Sequence, residues 1–293
     1  MVVTTAVPAI SIPHGLKKNL TEGDWRVLHI FEPVCNLANE KGELLSLVHP
    51  KIGNGPFNVV VPPIEFPASI EANTSARIYD GQLHIGALLI SLGNAQGWEA
   101  KPHWEILSKD SHCLKSAVVT IERLLALESP LDSFARLSIG GDLSHEVPLN
   151  VGEAAMDGIS VLSDSLVMGD SVGAGKASGK LAGLGGGLTP AGDDFLMGVL
   201  HAIWSFYPEP LARKWSRAIV EASTPKTTLL SAAWLKAAGA GEAGEVWHRL
   251  LQAIEKSQDD DILHAARAIL PTGHSSGADA LGGFAFACRR LLV

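Results

Sequence analysis

Cysteine is scarce in this sequence, and its spacing is uninformative. The three cysteines, Cys35, Cys113 and Cys288, are odd in number and far apart, and they lack the short spacing of metal-binding motifs. A secreted protein stapled by disulfides would carry an even and denser set, and a zinc module would carry paired cysteines. The cysteine content therefore predicts a reduced, cytoplasmic protein.

Basic clusters, targeting signals and long apolar runs are also missing. Lys and Arg total 23 against 31 Asp and Glu, which gives a net charge of −8 and makes nucleic acid an unexpected partner. Residues 1–14 contain no basic stretch followed by an apolar core, so no signal peptide is expected. The most apolar predicted helix, 195–206, is too short to cross a bilayer, so no membrane partner is expected.

The composition suits an ordered globular chain. Hydrophobic residues make up 46% of the 293 residues and charged residues 18%, which is enough to build a sizeable core. The first half is rich in strand formers, with candidate strands at 25–31, 44–48, 57–61, 77–79 and 82–85. Asn54-Gly55 and Asp80-Gly81 are hairpin signals between such runs. These features predict a small antiparallel sheet or barrel.

The second half has the periodicity of helices. Apolar residues recur at helical spacing from Ser111, a candidate N-cap, to about Glu128. Further candidate helices are 153–168, 189–206, 209–222, 227–238, 242–256, 259–270 and 277–291, and the glycine-rich stretch 169–187 is expected to be one long loop. The predicted fold class is α+β. The predicted organisation is an irregular lead-in at 1–24, a β-rich domain at 25–150 and a helical domain at 151–293.

A glycine-rich motif opens the most apolar of these helices. It reads Gly183-Leu-Gly-Gly-Gly-Leu-Thr-Pro-Ala-Gly-Asp-Asp-Phe-Leu-Met-Gly198. Thr189 is expected to cap the helix, and Pro190 suits its first position. A glycine loop at a helix start presents N–H groups to an anion, whereas Asp193 and Asp194 would repel a phosphate unless a cation or an N–H donor intervenes. The motif predicts either a polar small-molecule site or a capped helix packed through small residues.

The pattern Gly-x-Asp-x-Leu-x-Gly occurs a second time near the C-terminus. In Gly273-His-Ser-Ser-Gly-Ala-Asp-Ala-Leu-Gly-Gly283, Asp279 takes the place of Asp194. Two such helix starts related by a local twofold axis would form one cleft carrying Thr189, Asp193, Asp194, Ser275, Ser276 and Asp279. Alternatively, the serines only cap a helix and the glycines only allow close helix contact. His274 could activate Ser275 as a nucleophile, although no G-x-S-x-G elbow is present.

The motifs resemble a bacterial family that includes AllH, a subunit of the oxamate carbamoyltransferase of anaerobic allantoin degradation. The resemblance rests mainly on the block G-L-T-P-x-G-D-D at 187–194, followed downstream by Gly-His-Ser-Ser-Gly-Ala-Asp at 273–279. It also includes Asn54-Gly-Pro-Phe-Asn-Val and Thr228-Leu-Leu-Ser-Ala-Ala-Trp-Leu, and so covers about residues 25–290.

This resemblance implies transfer of a carbamoyl group between phosphate and oxamate, in a complex of several different subunits. The Ser-Thr-Arg-Thr phosphate loop of ordinary transcarbamoylases is absent, so the chemistry would need another site. The catalytic candidates are Asp193, Asp194, Asp279 and His274. The candidates for binding substrate or phosphate are Gly185, Gly186, Gly187, Thr189, Gly192, Ser275, Ser276 and Lys180, with Lys176 as a further cation.

Two other functions remain open at this point. The chain could be a non-catalytic partner subunit whose glycine motifs pack helices and dock other subunits. It could also be a phosphotransferase in which Asp193 and Asp194 bind magnesium, since carboxylate pairs suit that ion when substrate phosphates complete its shell. No cofactor is certain from the residues alone.

Overall fold

The computed structural model describes residues 6–20, 22–107, 111–140 and 148–292. The chain divides into two compact units, of which the first is Met1–Ala100 with Ala243–Glu245 and the second is Lys101–Glu242 with Val246–Val293. Strands fill the first unit and helices the second, so the predicted α+β class is confirmed. The first unit ends near Ala100, whereas the predicted boundary lies near residue 150.

The described part of the first unit contains one mixed sheet of ten strands, joined in the order β1-β9-β8-β7-β3-β4-β5-β6-β2-β10. The strands are β1 Val7–Pro8, β2 Ser11–Pro13, β3 Gly23–Phe31, β4 Val34–Asn39, β5 Leu44–Val48, β6 Asn58–Val60, β7 Ser75–Tyr79, β8 Gln82–Ile85, β9 Leu88–Ser91 and β10 Gln96–Trp98. Two short helices accompany them, α1 His14–Asn19 and α2 Phe66–Ser69. The segment predicted as an irregular lead-in therefore contributes β1, β2 and α1.

One of the two predicted hairpins is present. Asp80 and Gly81 have φ values of 48° and 68° and join β7 to antiparallel β8, as expected for a two-residue turn. The other prediction is wrong, because β5 and β6 run parallel. Asn54 instead makes long-range contacts, since its backbone N–H and its side-chain amide both donate to Glu245 Oε2, at 3.0 and 2.9 Å.

The core of the first unit follows from the alternation of its strands. In β3 the side chains of Trp25 and Val27 point inward, and in β8 those of Leu83 and Ile85 do the same. All five residues of β5 are buried. Burying a Leu or Ile side chain stabilises a fold by about 1.5–3 kcal/mol, so this sheet carries its own hydrophobic core.

The helices that follow agree with the periodicity of the sequence. They are α3 Trp104–Leu107, α4 Ser111–Glu128, α5 Ala135–Ser138, α6 Leu149–Val167, α7 Ser171–Leu181, α8 Ala191–Phe206, α9 Glu209–Ser223, α10 Leu229–Gly239, α11 Glu245–Lys256, α12 Asp259–Arg267 and α13 Ser276–Leu291, with a 3-10 turn at Thr224–Lys226. The seven helices predicted from residue 153 onward are all found, with ends that differ by a few residues. The side chain of the candidate cap Ser111 lies outside the described residues.

The long loop predicted over 169–187 is wrong, because helix α7 fills most of it. Asp170 caps this helix by accepting a hydrogen bond from the Val172 N–H at 3.0 Å. A Cβ at Gly175 would lie 2.7 Å from the Ala218 carbonyl oxygen of α9, so this glycine allows the two helices to approach closely. The glycines of α7 therefore serve helix packing, and only the segment after Leu181 is a loop.

Helices α8 and α13 form the centre of the second unit. Most residues of both are buried, including Phe195 and Leu196 in α8 and Leu281 and Phe284 in α13. Helix α13 packs against α8, α4, α5 and α6, and α8 also packs against α10 and α9. Because these two helices are enclosed, the loops that open them are held by the surrounding helices.

Candidate functional site

The two copies of the glycine motif meet in space. The hydroxyl groups of Thr189, just before α8, and Ser276, the first residue of α13, share a hydrogen bond of 3.0 Å. The charge of Asp279 acts on Asp194 and raises its pKa, which also places the two carboxyl groups near each other. The starts of α8 and α13 therefore lie side by side, as their common pattern predicts.

The glycines of the motifs exchange equivalent contacts. A Cβ on Gly198 of α8 would overlap the carbonyl oxygen of Ala280 in α13, and a Cβ on Gly283 of α13 would overlap that of Phe195 in α8. Ala280 occupies the position in the second copy that Phe195 occupies in the first. This reciprocity is what a local twofold relation between the helices requires, and it gives these glycines a packing role.

Asp193 holds the glycine loop to the start of α10. Its Oδ1 accepts from the Gly183 N–H at 3.1 Å, and its Oδ2 accepts from the Thr227 hydroxyl. Burial raises the pKa of the Asp193 carboxyl, and these hydrogen bonds lower it again. Both oxygens of Asp193 are occupied by the protein, so its role in the structure is to fix the loop.

A second hydrogen bond fixes the other end of the loop. The Thr228 hydroxyl donates to the Leu188 carbonyl at 2.7 Å and accepts from the Ser231 N–H at 3.1 Å, which makes Thr228 the cap of α10. Neither Thr227 nor Thr228 is among the predicted site residues, although Thr228 opens one of the blocks that resemble the family.

The loop between these two anchors is exposed. Gly185, Gly186, Gly187 and Leu188 all face solvent, and Gly185 and Gly187 have φ values of 104° and 88° that disfavour other residues. Within the part of the chain that the structure describes, the N–H groups of these four residues have no hydrogen-bond acceptor. The loop therefore offers a row of free donors just before the N-terminus of α8.

Asp194, whose carboxyl interacts with the hydroxyl of Thr189 directly after this loop, differs from Asp193 in its surroundings. Burial raises the pKa of its carboxyl to about 8, the neighbouring hydroxyl of Ser276 lowers the pKa, and the charge of Asp279 raises it. Its Oδ2 is buried and has no hydrogen-bond partner among the described residues. Asp194 is thus largely protonated at neutral pH and keeps one oxygen free.

Asp279, the equivalent of Asp194 in the second copy, is committed to the fold. Its Oδ1 accepts from the Ser133 hydroxyl at 2.6 Å and from the Phe134 N–H at 2.7 Å, just before α5. Burial raises the pKa of Asp279 to about 7. Ser133 was not predicted, and because it lies far from Asp279 in the chain, no local pattern could have identified it.

Several predicted residues do not join this group. Lys180 forms an ion pair with Asp157 at 2.8 Å, so its predicted phosphate contact is not supported by the structure. His274 is largely exposed and lies 3.6 Å from Asp132, with no described contact to the Ser275 hydroxyl. Gly192 packs against the Leu181 carbonyl instead of facing solvent.

The predicted capping of both helices also differs in detail. Pro190, and not Thr189, occupies the cap position of α8, and the Thr189 hydroxyl contacts Ser276 instead. Ser275 precedes α13 without a side-chain capping bond, and its carbonyl oxygen accepts from the Asp279 N–H at 2.8 Å. The hydroxyls of Thr189 and Ser276 therefore meet at the junction of the two loops, where both also interact with Asp194.

Metal-binding clusters and membrane-spanning helices are absent from the described residues. In that part of the chain, no three His, Cys, Asp or Glu side chains are grouped closely enough to hold a metal ion. No described helix combines the length and apolar character needed to cross a membrane. The free cysteines Cys35, Cys113 and Cys288 are all buried.

Comparison with known proteins gives two matches along the chain. Residues 181–288, which include α8, α13 and both glycine motifs, match a family model described as oxamate carbamoyltransferase subunit AllH. Residues 8–97, which form the sheet, match a model described as the AllH family N-terminal domain. No solved structure matches the chain with significant similarity. The two family models together cover most of the sequence, and the chain therefore belongs to the AllH family.

Proposed function

We propose that this chain is a subunit of an oxamate carbamoyltransferase, acting in the nitrogen catabolism that starts from allantoin. The observation that carries the proposal is the exposed row of N–H groups at Gly185–Leu188, which has no acceptor among the described residues and directly precedes α8. Backbone N–H groups at a helix start attract anions through hydrogen bonds and the helix dipole. Both substrates of this reaction, carbamoyl phosphate and oxamate, carry such an anionic group.

The side chains of Asp193 and Asp194, which the sequence predicts to repel a phosphate, are compatible with anion binding. Both oxygens of Asp193 accept hydrogen bonds, from Gly183 and Thr227, and Asp194 is largely protonated at neutral pH because it is buried. Asp194 therefore presents little negative charge to a bound phosphate or carboxylate, and the oxygens of Asp193 are engaged within the protein. Both features lessen the electrostatic repulsion expected from the Asp-Asp sequence.

The transfer reaction itself needs more positive charge than Lys180 and His274 can supply. In carbamoyl transfer, the amide nitrogen of oxamate bonds to the carbamoyl carbon, the bond from that carbon to the phosphate oxygen breaks, and the nitrogen loses a proton. The leaving phosphate requires cations, yet Lys180 is paired with Asp157 and His274 lies beside Asp132. We propose that other subunits supply the missing positive charge.

Gly186 offers a clean test of the anion site. A Cβ at this position would meet nothing within 4 Å, so a side chain can be added without strain. In the enzyme assembled with its partner subunits, Gly186→Glu should lower kcat/KM for carbamoyl transfer to oxamate by roughly tenfold or more, because like charges a few ångströms apart repel by about 1–4 kcal/mol. Gly186→Ala is the matched control and should retain activity.

A scaffold role is the second candidate, and it is favoured by the reciprocal packing of Gly198 and Gly283. In that case the glycine motifs would serve the α8–α13 contact, and the exposed loop would bind no substrate. The same pair of variants separates the two functions. Unchanged transfer by the Gly186→Glu enzyme would favour the scaffold and contradict the proposed anion site.

A further inference from the structure

Asp194 is a buried acid of this site whose hydrogen bonding is incomplete. Both Asp194 and Asp279 keep an Oδ2 atom without a hydrogen-bond partner among the described residues. They differ in their other surroundings, because Asp279 is 0% exposed and holds Ser133 and Phe134 through Oδ1, whereas Asp194 is 6% exposed. Of these two acids, Asp194 thus combines a free, buried oxygen with a residue that is not fully enclosed.

The hydroxyls beside Asp194 show where a ligand would reach it. Thr189 and Ser276, which bond to each other at 3.0 Å, are the side chains that interact with the Asp194 carboxyl. Both are partly exposed and stand at the junction of the two helix starts. A ligand that binds the N–H groups of Gly185–Leu188 and replaces the Thr189–Ser276 bond would therefore lie next to Asp194.

A protonated carboxyl group with a free oxygen is a good hydrogen-bonding partner for a primary amide. A protonated carboxyl has one O–H donor and one carbonyl acceptor side by side, and a primary amide has the complementary C=O and N–H. The two groups can form paired hydrogen bonds. A buried polar atom without a partner costs free energy, so binding an amide there would relieve a cost that an anion alone would leave in place.

We propose that Asp194 recognises the primary amide of oxamate and distinguishes it from anions of the same shape that lack an amide N–H. This inference rests on the proposed function, in that the carboxylate end of the same oxamate molecule would bind the loop N–H groups. It makes Asp194 a specificity-determining residue, and Asp193 and Asp279 supports of the surrounding loops.

The expected selectivity follows from the hydrogen bond that is lost. Pyruvate has the charge and shape of oxamate but carries a methyl group in place of the NH2. A site built to hydrogen-bond an N–H rejects an analogue without it, because the site's own polar atom then stays unpaired. Oxamate should therefore bind at least roughly tenfold more tightly than pyruvate.

The test is a set of calorimetric titrations of the full chain, repeated on the assembled enzyme, with oxamate, pyruvate and oxalate. Asp194→Leu keeps the size of the side chain and removes the acceptor, and it should bring oxamate and pyruvate to within about twofold of each other. Asp194→Asn should keep part of the preference, because its side chain still offers one donor and one acceptor. Asp157→Leu, which removes an exposed acid paired with Lys180, should retain the full preference.

Several outcomes would overturn this inference. Equal affinity of the wild-type protein for oxamate and pyruvate, or no oxamate binding by either the chain or the assembled enzyme, contradicts it. An Asp194→Leu protein that is folded by circular dichroism and still prefers oxamate also contradicts it. If the Leu variant does not fold, the Asp194→Asn variant decides. Full retention of the oxamate preference in that variant, with the same pH dependence of binding as the wild type, contradicts the inference. If Gly186→Glu abolishes binding of both ligands while Asp194 variants leave the preference intact, the anion site stands and the amide recognition fails.

Discussion

Replacing Asp194 by Asn should stabilise the protein, and increasingly so as the pH rises. Burial raises the pKa of this carboxyl from 3.8 to about 8 in the folded protein. The folded state therefore holds the proton more tightly than the unfolded state, and the free energy of unfolding falls as the pH rises between these two values. Asn resembles the protonated acid in shape and cannot ionise, so the variant escapes this loss.

The size of the effect follows from the pKa shift. Each pKa unit corresponds to about 1.4 kcal/mol, so the raised pKa of Asp194 lowers the free energy of unfolding by at most roughly 5 kcal/mol at pH 8 and by about 1–2 kcal/mol at pH 5, because the unfolded state ionises first. The advantage of Asp194→Asn should thus grow by about 3 kcal/mol across this range. With a dependence of roughly 2–4 °C per kcal/mol, the difference in Tm should widen by about 6–12 °C.

The measurement is thermal unfolding followed by circular dichroism at pH 5, 6, 7 and 8, for wild type and variant in parallel. Groups far from Asp194 titrate equally in both proteins and cancel in the difference, whereas Asp279 and Asp193, whose charges act on Asp194, also contribute to it. Asp157→Asn, which changes an exposed acid, is the control and should stay within about 0.5 kcal/mol of the wild type at every pH. A stability difference that does not change with pH, or an Asn variant less stable than wild type at pH 8, would refute the reasoning.

Three further predictions follow from the same contacts. Asp193→Ala should lower the free energy of unfolding by about 1–3 kcal/mol, measured by urea denaturation, because it leaves the partly buried Gly183 N–H and Thr227 hydroxyl without their acceptor. Gly198→Ala should cost about 1–3 kcal/mol or more, since its methyl group would overlap the Ala280 carbonyl, whereas Gly186→Ala should stay within about 0.5 kcal/mol. The purified chain alone should show little carbamoyl transfer between carbamoyl phosphate and oxamate, and robust turnover without partner subunits would contradict the need for their charges.

The helices could be predicted because their signals are local. Apolar residues at helical spacing located α8 and α13, and the order of strands and helices along the chain was enough for the fold class. The parallel pairing of β5 and β6 could not be read in this way, since a turn signal at Asn54-Gly55 says nothing about which strands later become neighbours.

Glycine was the most ambiguous residue in the sequence. The glycine-rich pattern predicts a loop at Gly175 and Gly179, yet both lie in α7 against Ala218 and Ala222 of α9. Gly185 and Gly187 do form a loop and have positive φ values. The absence of a side chain allows both close helix contact and positive φ angles. Which of the two a glycine serves depends on whether a neighbouring helix packs against it.

The repeated pattern predicts the contact between the two helix starts but not the separate roles of their acids. The repeated pattern correctly placed Asp194 and Asp279 together, but it could not show that Asp279 is bound by Ser133 while Asp194 keeps a free oxygen. The difference has a counterpart in the sequence, because Asp193 has Ala278 as its equivalent in the second copy. In the first copy Asp193 anchors the loop and leaves Asp194 free, whereas in the second copy a single acid is used as the anchor. Two helices related by a local twofold axis can therefore differ in function, with the start of α13 serving helix packing and the start of α8 binding a ligand. The Asp194 variants test this arrangement.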